Sequence, residues 1–245
     1  MNASELEPYP PRLPTQNHSV KHRKIAAVLA APAAIVLVLL SALTWHGHVT
    51  GIDRTLTADI VRRPGSLSFR FSDVFSVVGS GPIVALFSLA ISVEIWRRSG
   101  DLFRALVVPI AGAIGGVAEL AGKQIVGRLR PLTAIVTGES GFGFPSGHTT
   151  GFTAMAFATA WVVTVAPGLN RQRRRGTRVA AGVLAMMVAL SRVLVGAHYV
   201  FDVLAGLSLG VLCALASALV VGALTPFARS LVGRHFPTIL RRISP

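Results

Sequence analysis

The sequence predicts an all-α polytopic membrane protein with six transmembrane helices in one helical bundle. Hydrophobic residues fill 52% of the 245 positions and charged residues only 14%, against about 25% charged in ordinary soluble domains. The mean hydropathy is +0.62. Several apolar runs approach or reach the roughly 20 residues that span a bilayer. The lone Cys213 lies inside an apolar run, so no disulfide framework is predicted.

Six apolar runs follow one another, and each is interpreted as one spanning helix. A polar, proline-rich leader, residues 1–24, precedes them and is predicted to be a disordered cytoplasmic segment. Residues 25–224 form one six-helix membrane domain, and residues 225–245 form a basic cytoplasmic tail. The predicted spans are Ile25–Leu43, Val74–Ile95, Ala105–Gly122, Thr149–Ala166, Val179–Val195 and Val203–Leu224.

Two pairs of glycines in these runs have the four-residue spacing of close contacts between membrane helices. They are Gly112/Gly116 in the third run and Gly206/Gly210 in the sixth. The spacing predicts close packing of both helices against a neighbour.

The net charge of +14 would indicate nucleic-acid binding in a soluble protein. Here the basic residues lie mainly between apolar runs, where they orient the chain and contact anionic lipid. The bilayer is therefore the predicted partner, and nucleic acid is not. Nothing in the sequence specifies an oligomeric state.

The distribution of the 24 Lys and Arg residues predicts the orientation. Sixteen fall on the membrane face that holds both termini and eight on the opposite face, three of them candidate ligands. Because positive residues stay in the cytoplasm, we expect a multi-pass plasma-membrane protein with both termini cytoplasmic.

Polar residues at membrane depth indicate function, since each charge costs roughly 2.5–3.5 kcal/mol on insertion scales. They are concentrated in three segments: KQIVGRLRP closes the third run, PSGH opens the fourth, and SRVLVGAHYVFD joins the fifth to the sixth. With six spans, all three segments lie on the face opposite the termini. The candidate site is therefore predicted on the extracytoplasmic face.

The three segments supply cations and backbone donors for an anion. Lys123 and Arg130 are seven residues apart, on one helical stripe, and Arg192 is a third cation. Ser146 can cap a helix, and Gly147 lets its free N–H groups approach a ligand closely. Cations and backbone donors in one place are typical of a phosphoryl site.

Two histidines flank this anion site. His198 and Asp202 are four residues apart, so the carboxylate can fix the imidazole tautomer and leave the far nitrogen free. His148 follows the anion-binding glycine and can act as an acid. No carboxylate, Cys or His cluster is left to hold a metal, so neither a metal nor any other cofactor is predicted.

Two further charged residues lie close to these motifs. Glu119 precedes Lys123 by four residues, and it either pairs with that lysine or packs at a helix interface. Arg128 contacts either substrate or only lipid head groups, and it is left out of the candidate site.

In this order, K-x6-RP, PSGH and SR-x5-H-x3-D resemble the three signatures of the type 2 phosphatidic acid phosphatase (PAP2) superfamily. That superfamily includes lipid phosphate phosphatases, bacterial acid phosphatases and vanadium haloperoxidases. The resemblance implies that His198 attacks phosphorus to form a phosphohistidine, that Asp202 steadies the imidazolium, and that His148 protonates the leaving oxygen. The phosphoryl oxygens would be held by Lys123, Arg130, Ser146, Gly147 and Arg192.

The function implied is that of an integral membrane, metal-independent lipid phosphatase or diphosphatase. Candidate substrates are phosphatidic acid, phosphatidylglycerol phosphate and a polyprenyl diphosphate. A phosphotransferase of the same superfamily would instead pass the phosphoryl group to an acceptor hydroxyl. A non-catalytic binder of lipid head groups would need the cations but neither an acid nor a nucleophile.

Overall fold

The structure, a computed structural model, describes residues 16–166 and 168–235. These two ranges contain helices and no strand beyond one isolated bridge between Leu129 and Phe142, which confirms the predicted all-α class. Short 3-10 turns cover Trp45–Gly47 and Leu132–Thr137. The α-helices are α1 (Gln16–Leu43), α2 (Gly51–Ile60), α3 (Leu67–Val78), α4 (Gly81–Ser99), α5 (Leu102–Val126), α6 (Gly147–Val165), α7 (Arg171–Leu194) and α8 (Val200–His235).

Three of the described helices, α5, α7 and α8, are each long and apolar enough to cross a membrane. The bent pair α3 and α4 meets the same condition when its two members are taken together. The apolar part of α1, Ala30–Leu43, is shorter, and α6 is not among the helices that meet the condition. The chain is a membrane protein by this measure, but the predicted count of six spans is not confirmed.

The predicted second span, Val74–Ile95, is not one straight helix. α3 ends at Val78 with Gly79 as its C-cap, and α4 begins after Ser80 with Pro82 in its first turn. Glycine commonly ends a helix and proline commonly begins one. The two helices therefore meet at a bend of 55°.

Two helices extend further than predicted. The described part of α1 begins at Gln16, inside the leader predicted to be disordered. The disorder predicted for residues 1–15 lies outside the described residues. α8 continues past the predicted end of its span at Leu224 to His235, and the rest of the tail also lies outside them.

α8 packs against α6, α5 and α1, and its glycines allow the closest approach. A Cβ on Gly206 would lie 2.9 Å from a backbone oxygen at the start of α6, and one on Gly210 would lie 2.5 Å from Cβ of Thr153. The close contact predicted for this pair is confirmed. A Cβ on Gly112 or Gly116 would meet no atom within 4 Å, so the close contact predicted for α5 is wrong.

The main apolar core lies between α4, α5, α6, α7 and α8 and is built largely of small side chains. At one end of it the C-termini of α5 and α7 meet the N-termini of α6 and α8, which brings the three predicted motifs together. Members of the core that are essentially inaccessible include Val108, Ala111, Ala154, Ala158, Ala185 and Val188.

Candidate active site

His198 lies between a cation and a carboxylate and is fully buried. Its Nε2 is 2.8 Å from Nη1 of Arg130, and its Nδ1 is 3.4 Å from Oδ2 of Asp202. Because arginine only donates hydrogen bonds, Nε2 accepts with its lone pair, and the proton of the neutral ring is on Nδ1. Burial lowers the pKa of His198 although Asp202 opposes this shift, which favours the neutral ring. An unprotonated nitrogen therefore faces Arg130.

Arg130 and Arg192 are linked by the carboxylate of Glu139. One oxygen of Glu139 is 2.7 Å from Nη1 of Arg130, and the other accepts from Nη2 of Arg192. Burial raises the pKa of Glu139, but the charges of Arg192 and Arg130 outweigh burial and hold this pKa below its ordinary value. An anionic group therefore occupies the space between the two cations, next to His198.

Ser146 and Gly147 begin α6, as predicted, but the serine hydroxyl does not cap the helix. Ser146 is fully buried, and its hydroxyl accepts a hydrogen bond from Oγ1 of Thr149 at 3.1 Å. Gly147 lies against Glu119, so a Cβ at this position would collide with the carboxylate. The helix dipole favours a negative charge at this place, and only glycine leaves room for it.

Lys123 is held by Glu119. Its Nζ is 2.6 Å from Oε1 of Glu119, four residues earlier on α5, so the ion pair offered as one interpretation of Glu119 is confirmed. Because Glu119 also abuts Gly147, the pair lies at the start of α6. His148 follows and lies within electrostatic range of His198 and of the Arg130–Glu139–Arg192 group.

A second charged cluster, which the motifs did not indicate, lies behind His198. Arg128 is fully buried; its Nη1 is 2.6 Å from Oδ1 of Asp202, and its Nη2 donates to Asp53. Its guanidinium carbon is 4.5 Å from the ring centroid of Tyr199. Arg128 therefore contacts the carboxylate that faces His198. Because its side chain is fully buried, neither of the two alternatives given for it, contact with substrate or with lipid head groups only, matches the structure.

Asp53 and Glu139 were also missed, and one signal could have pointed to them. The chain has only ten acidic residues, and buried arginines require acidic partners because an unpaired buried charge is costly. Burial raises the pKa of Asp53, while the hydrogen bond and charge of Arg128 act in the opposite direction.

Within residues 16–166 and 168–235, no three His, Cys, Asp or Glu side chains are grouped so as to hold a metal ion. The carboxylates nearest to His198 already bind arginines. Metal independence stays a prediction.

A helical membrane fold with paired arginines, two histidines and a buried aspartate at one end defines a membrane protein with an anion-binding, histidine-containing site. Residues 102–226, just over half of the chain, match the PAP2 superfamily. The chain belongs to this family, and the resemblance predicted from its three motifs is confirmed.

Phosphatidylglycerophosphatase B of Bacillus subtilis (strain 168) is 40% identical to the chain over 91 residues, which are 37% of this chain and 44% of that protein. The aligned region thus spans less than half of this relative.

Two crystal structures share the fold. That of the first transmembrane PAP2 type phosphatidylglycerolphosphate phosphatase from Bacillus subtilis has a TM-score of 0.69 at 22% identity, covering 77% of this chain and 94% of the other. That of Aquifex aeolicus LpxE has a TM-score of 0.50 at 25% identity, covering 69% and 96%.

Proposed function

We propose that this protein is an integral membrane lipid phosphatase that hydrolyses a lipid phosphomonoester or diphosphate through a phosphohistidine. The observation that carries the proposal is the carboxylate of Glu139 between Arg130 and Arg192, beside the unprotonated Nε2 of His198. A phosphoryl group offers anionic oxygens of the same kind and binds guanidinium groups bidentately. It can therefore displace the carboxylate and bring phosphorus next to Nε2.

The first chemical step forms a bond between Nε2 of His198 and phosphorus while the bond from phosphorus to the lipid oxygen breaks. His148 gives its proton to that leaving oxygen. The Nδ1–H group facing Asp202 stabilises the positive charge that develops on the ring. Water then attacks phosphorus, its proton passes to His148, and the nitrogen–phosphorus bond breaks to release phosphate.

The remaining predicted ligands complete the phosphoryl cradle in this proposal. The start of α6 adjoins the carboxylate of Glu119, and the free N–H groups of such helix ends bind phosphate. Lys123, four residues after Glu119 on α5, adds a cation there. The proposed phosphoryl ligands are Lys123, Arg130, Ser146, Gly147 and Arg192.

The alignment of His198 with Asp202 favours a catalyst over a head-group binder, because binding an anion requires no aligned nucleophile. The name of the Bacillus subtilis relative supports phosphatidylglycerol phosphate as the first substrate to test. Phosphatidic acid and a polyprenyl diphosphate are the other candidates.

Purified protein in detergent should release phosphate from at least one of these three lipids, and the His198→Ala variant should not. Activity should survive excess EDTA, and vanadate should inhibit it because it can mimic five-coordinate phosphorus. Loss of activity in EDTA with recovery on adding Mg²⁺ would contradict the metal-independent mechanism. Equal product in the presence and absence of an acceptor alcohol separates hydrolysis from phosphotransfer.

For the arrangement in the membrane, we propose six spans, both termini in the cytoplasm and the site on the extracytoplasmic side of the plasma membrane. α1, the α3–α4 pair and α5 to α8 supply the six segments. The sixteen basic residues on the face of the termini, against eight on the other, support this orientation.

Two single cysteines in a Cys213→Ser background test the orientation. Ser140→Cys lies near the site and Gln172→Cys lies at the opposite end of the bundle, and both positions are exposed. In intact cells an impermeant thiol reagent should label the first and not the second. The reverse pattern would overturn the proposed orientation.

A further inference from the structure

Three charged side chains form a continuous network behind His198, and two of them, Asp53 and Arg128, have no part in the proposed chemistry. Asp53, Arg128 and Asp202 are each fully buried. Arg128 lies between the two carboxylates and donates to both. Burying an ion pair is costly unless the geometry is good and the remaining polar atoms are satisfied, so such a network requires an explanation.

The network fixes the carboxylate that faces the proposed nucleophile. Oδ1 of Asp202 accepts from Arg128 at 2.6 Å. Oδ2 accepts from the backbone N–H of Tyr199 at 3.0 Å and lies 3.4 Å from Nδ1 of His198. Both oxygens are therefore engaged, and rotating the carboxylate away from His198 would break the bond to Arg128.

Asp53 connects this carboxylate to a distant part of the chain. It lies on α2, in the long segment between the first two predicted spans, and its Oδ1 accepts from the N–H of Phe201 at 3.0 Å. One turn later, Oγ1 of Thr57 accepts from the N–H of Val200 at 3.1 Å. α2 thus satisfies free N–H groups at the start of α8, where such groups otherwise lack partners.

The net charge of the network formed by Asp53, Arg128 and Asp202 is negative. Two carboxylates around one guanidinium leave one net negative charge next to His198. A negative neighbour favours a positive charge on an imidazole, and that charge develops when Nε2 bonds to phosphorus. Without Asp53, the positive charge of Arg128 would be balanced by Asp202 alone. Asp202 would then stabilise a positive charge on His198 less strongly.

We propose that Asp53 and Arg128 are positioning residues for the phosphatase reaction, which act by orienting Asp202 and by keeping the charge behind His198 negative. This inference rests on the proposed function. In this proposal α2 contributes to turnover through Asp53 but does not contact the phosphoryl group.

Asp53→Asn is the central variant because it removes the charge and keeps the shape. Its kcat should fall about tenfold, the effect of one pKa unit at the nucleophile, with KM unchanged. Arg128→Gln should lower kcat by about 10²-fold through misplacement of Asp202. Asp59→Asn is the matched control, since Asp59 is exposed on the same helix, and it should behave as wild type.

The pH dependence separates positioning from a purely structural role. His198 must be neutral to attack, so kcat/KM falls on the acid side as the ring is protonated. A weaker negative neighbour lowers the pKa of His198, so this acid limb should move to lower pH in Asp53→Asn. The charged or titratable groups that act on His198 directly are Arg130, Glu139, His148, Arg192 and Asp202. Arg128 and Asp53 lie behind Asp202 and act through it.

The double variant Asp53→Asn/Arg128→Gln tests whether the two residues act through each other. If they do, it should lose no more kcat than Arg128→Gln alone. Wild-type kcat in Asp53→Asn would overturn the inference. A loss of kcat that only matches the loss of folded protein in detergent, with the acid limb of the pH profile unchanged, would also overturn the inference. Absence of phosphate release from the wild-type protein would instead reject the proposed function itself.

Discussion

The two sides of His198 are built differently. On the side of Nδ1, the side chains of Asp202, Arg128 and Asp53 are fully buried. The N–H group of Tyr199, just before α8, is bonded to Asp202, and that of Phe201, in α8, is bonded to Asp53. On the side of Nε2, Arg130 is bonded to Glu139, whose side chain belongs to the segment between α5 and α6 and is 20% exposed.

This difference separates what must stay fixed from what must exchange. The fixed side is held by buried ion pairs of Arg128 and by the hydrogen bond between Asp53 and the start of α8. Its geometry therefore exists before substrate arrives, which is the condition for preorganised catalysis. The exchangeable side holds an internal anion, the Glu139 carboxylate, which substrate replaces in the proposed reaction. Substitution of Asp53 or Arg128 should therefore change kcat, whereas substitution of Glu139 should change KM.

The largest effect should come from substitution of His198, which lies between the two sides. His198→Ala removes the group that is proposed to form the covalent intermediate, so kcat should fall by at least about 10⁴-fold. Phosphate release from phosphatidylglycerol phosphate measures it. Tyr9→Phe, outside the described residues and remote in sequence from the three motifs, is a control expected to retain activity. Wild-type turnover in His198→Ala would eliminate the phosphohistidine mechanism.

His148→Ala on the exchangeable side should cost less, about 10²- to 10⁴-fold with a lipid substrate. The loss should shrink with an aryl phosphate, because a good leaving group needs little protonation. Comparing kcat for the two substrates in wild type and variant gives the ratio. An equal loss with both substrates would contradict the assignment of His148 as the acid.

Glu139→Gln should lower KM about three- to tenfold with little change in kcat. The uncharged amide binds Arg130 and Arg192 less tightly than the carboxylate does, so it competes less with substrate for them. Glu94→Gln is the matched control: Glu94 also pairs with two arginines, Arg97 and Arg98, but at the opposite end of the bundle. A higher KM in Glu139→Gln would show that the carboxylate helps to hold the cations for substrate.

The smallest effect on catalysis should come from substitutions in the packed helices that hold both sides of the site. Gly210→Ala places a methyl group against Thr153 and Thr150 of α6 and should destabilise the protein by about 1–3 kcal/mol. Thermal unfolding in detergent measures this. Gly112→Ala, where space is open, should be neutral or stabilising by about 0.5–1 kcal/mol. Equal melting temperatures would refute the close α6–α8 contact.

Regular spacing made part of this arrangement predictable. Arg192, His198 and Asp202 lie within eleven residues of one another. They belong to the end of α7, the turn over residues 195–199 and the first turn of α8, so a short connection keeps them close together. Glu119 was found because it precedes Lys123 by one helical turn. Gly79 and Pro82 also indicated the break in the second span, but the continuous apolar run around them led to the prediction of one helix.

Asp53 and Glu139 could not be found in the same way. Asp53 pairs with Arg128, 75 residues later, and no local period relates the two. Within α2 it also sits three residues after Thr50, whose side chain accepts from its N–H, so its local pattern is that of an ordinary helix start. Only tertiary packing distinguishes it from the exposed Asp59.

The bond between Asp53 and the N–H of Phe201 joins positions 148 residues apart, and it has a consequence for how the protein is made. Chains enter a membrane from the N-terminus onward, so α2 emerges long before α8. Until α8 arrives, Arg128 has no Asp202 to bind and His198 has no carboxylate behind it. A nascent chain that stops after α7 lacks both His198 and Asp202, and it therefore cannot carry out the proposed cleavage.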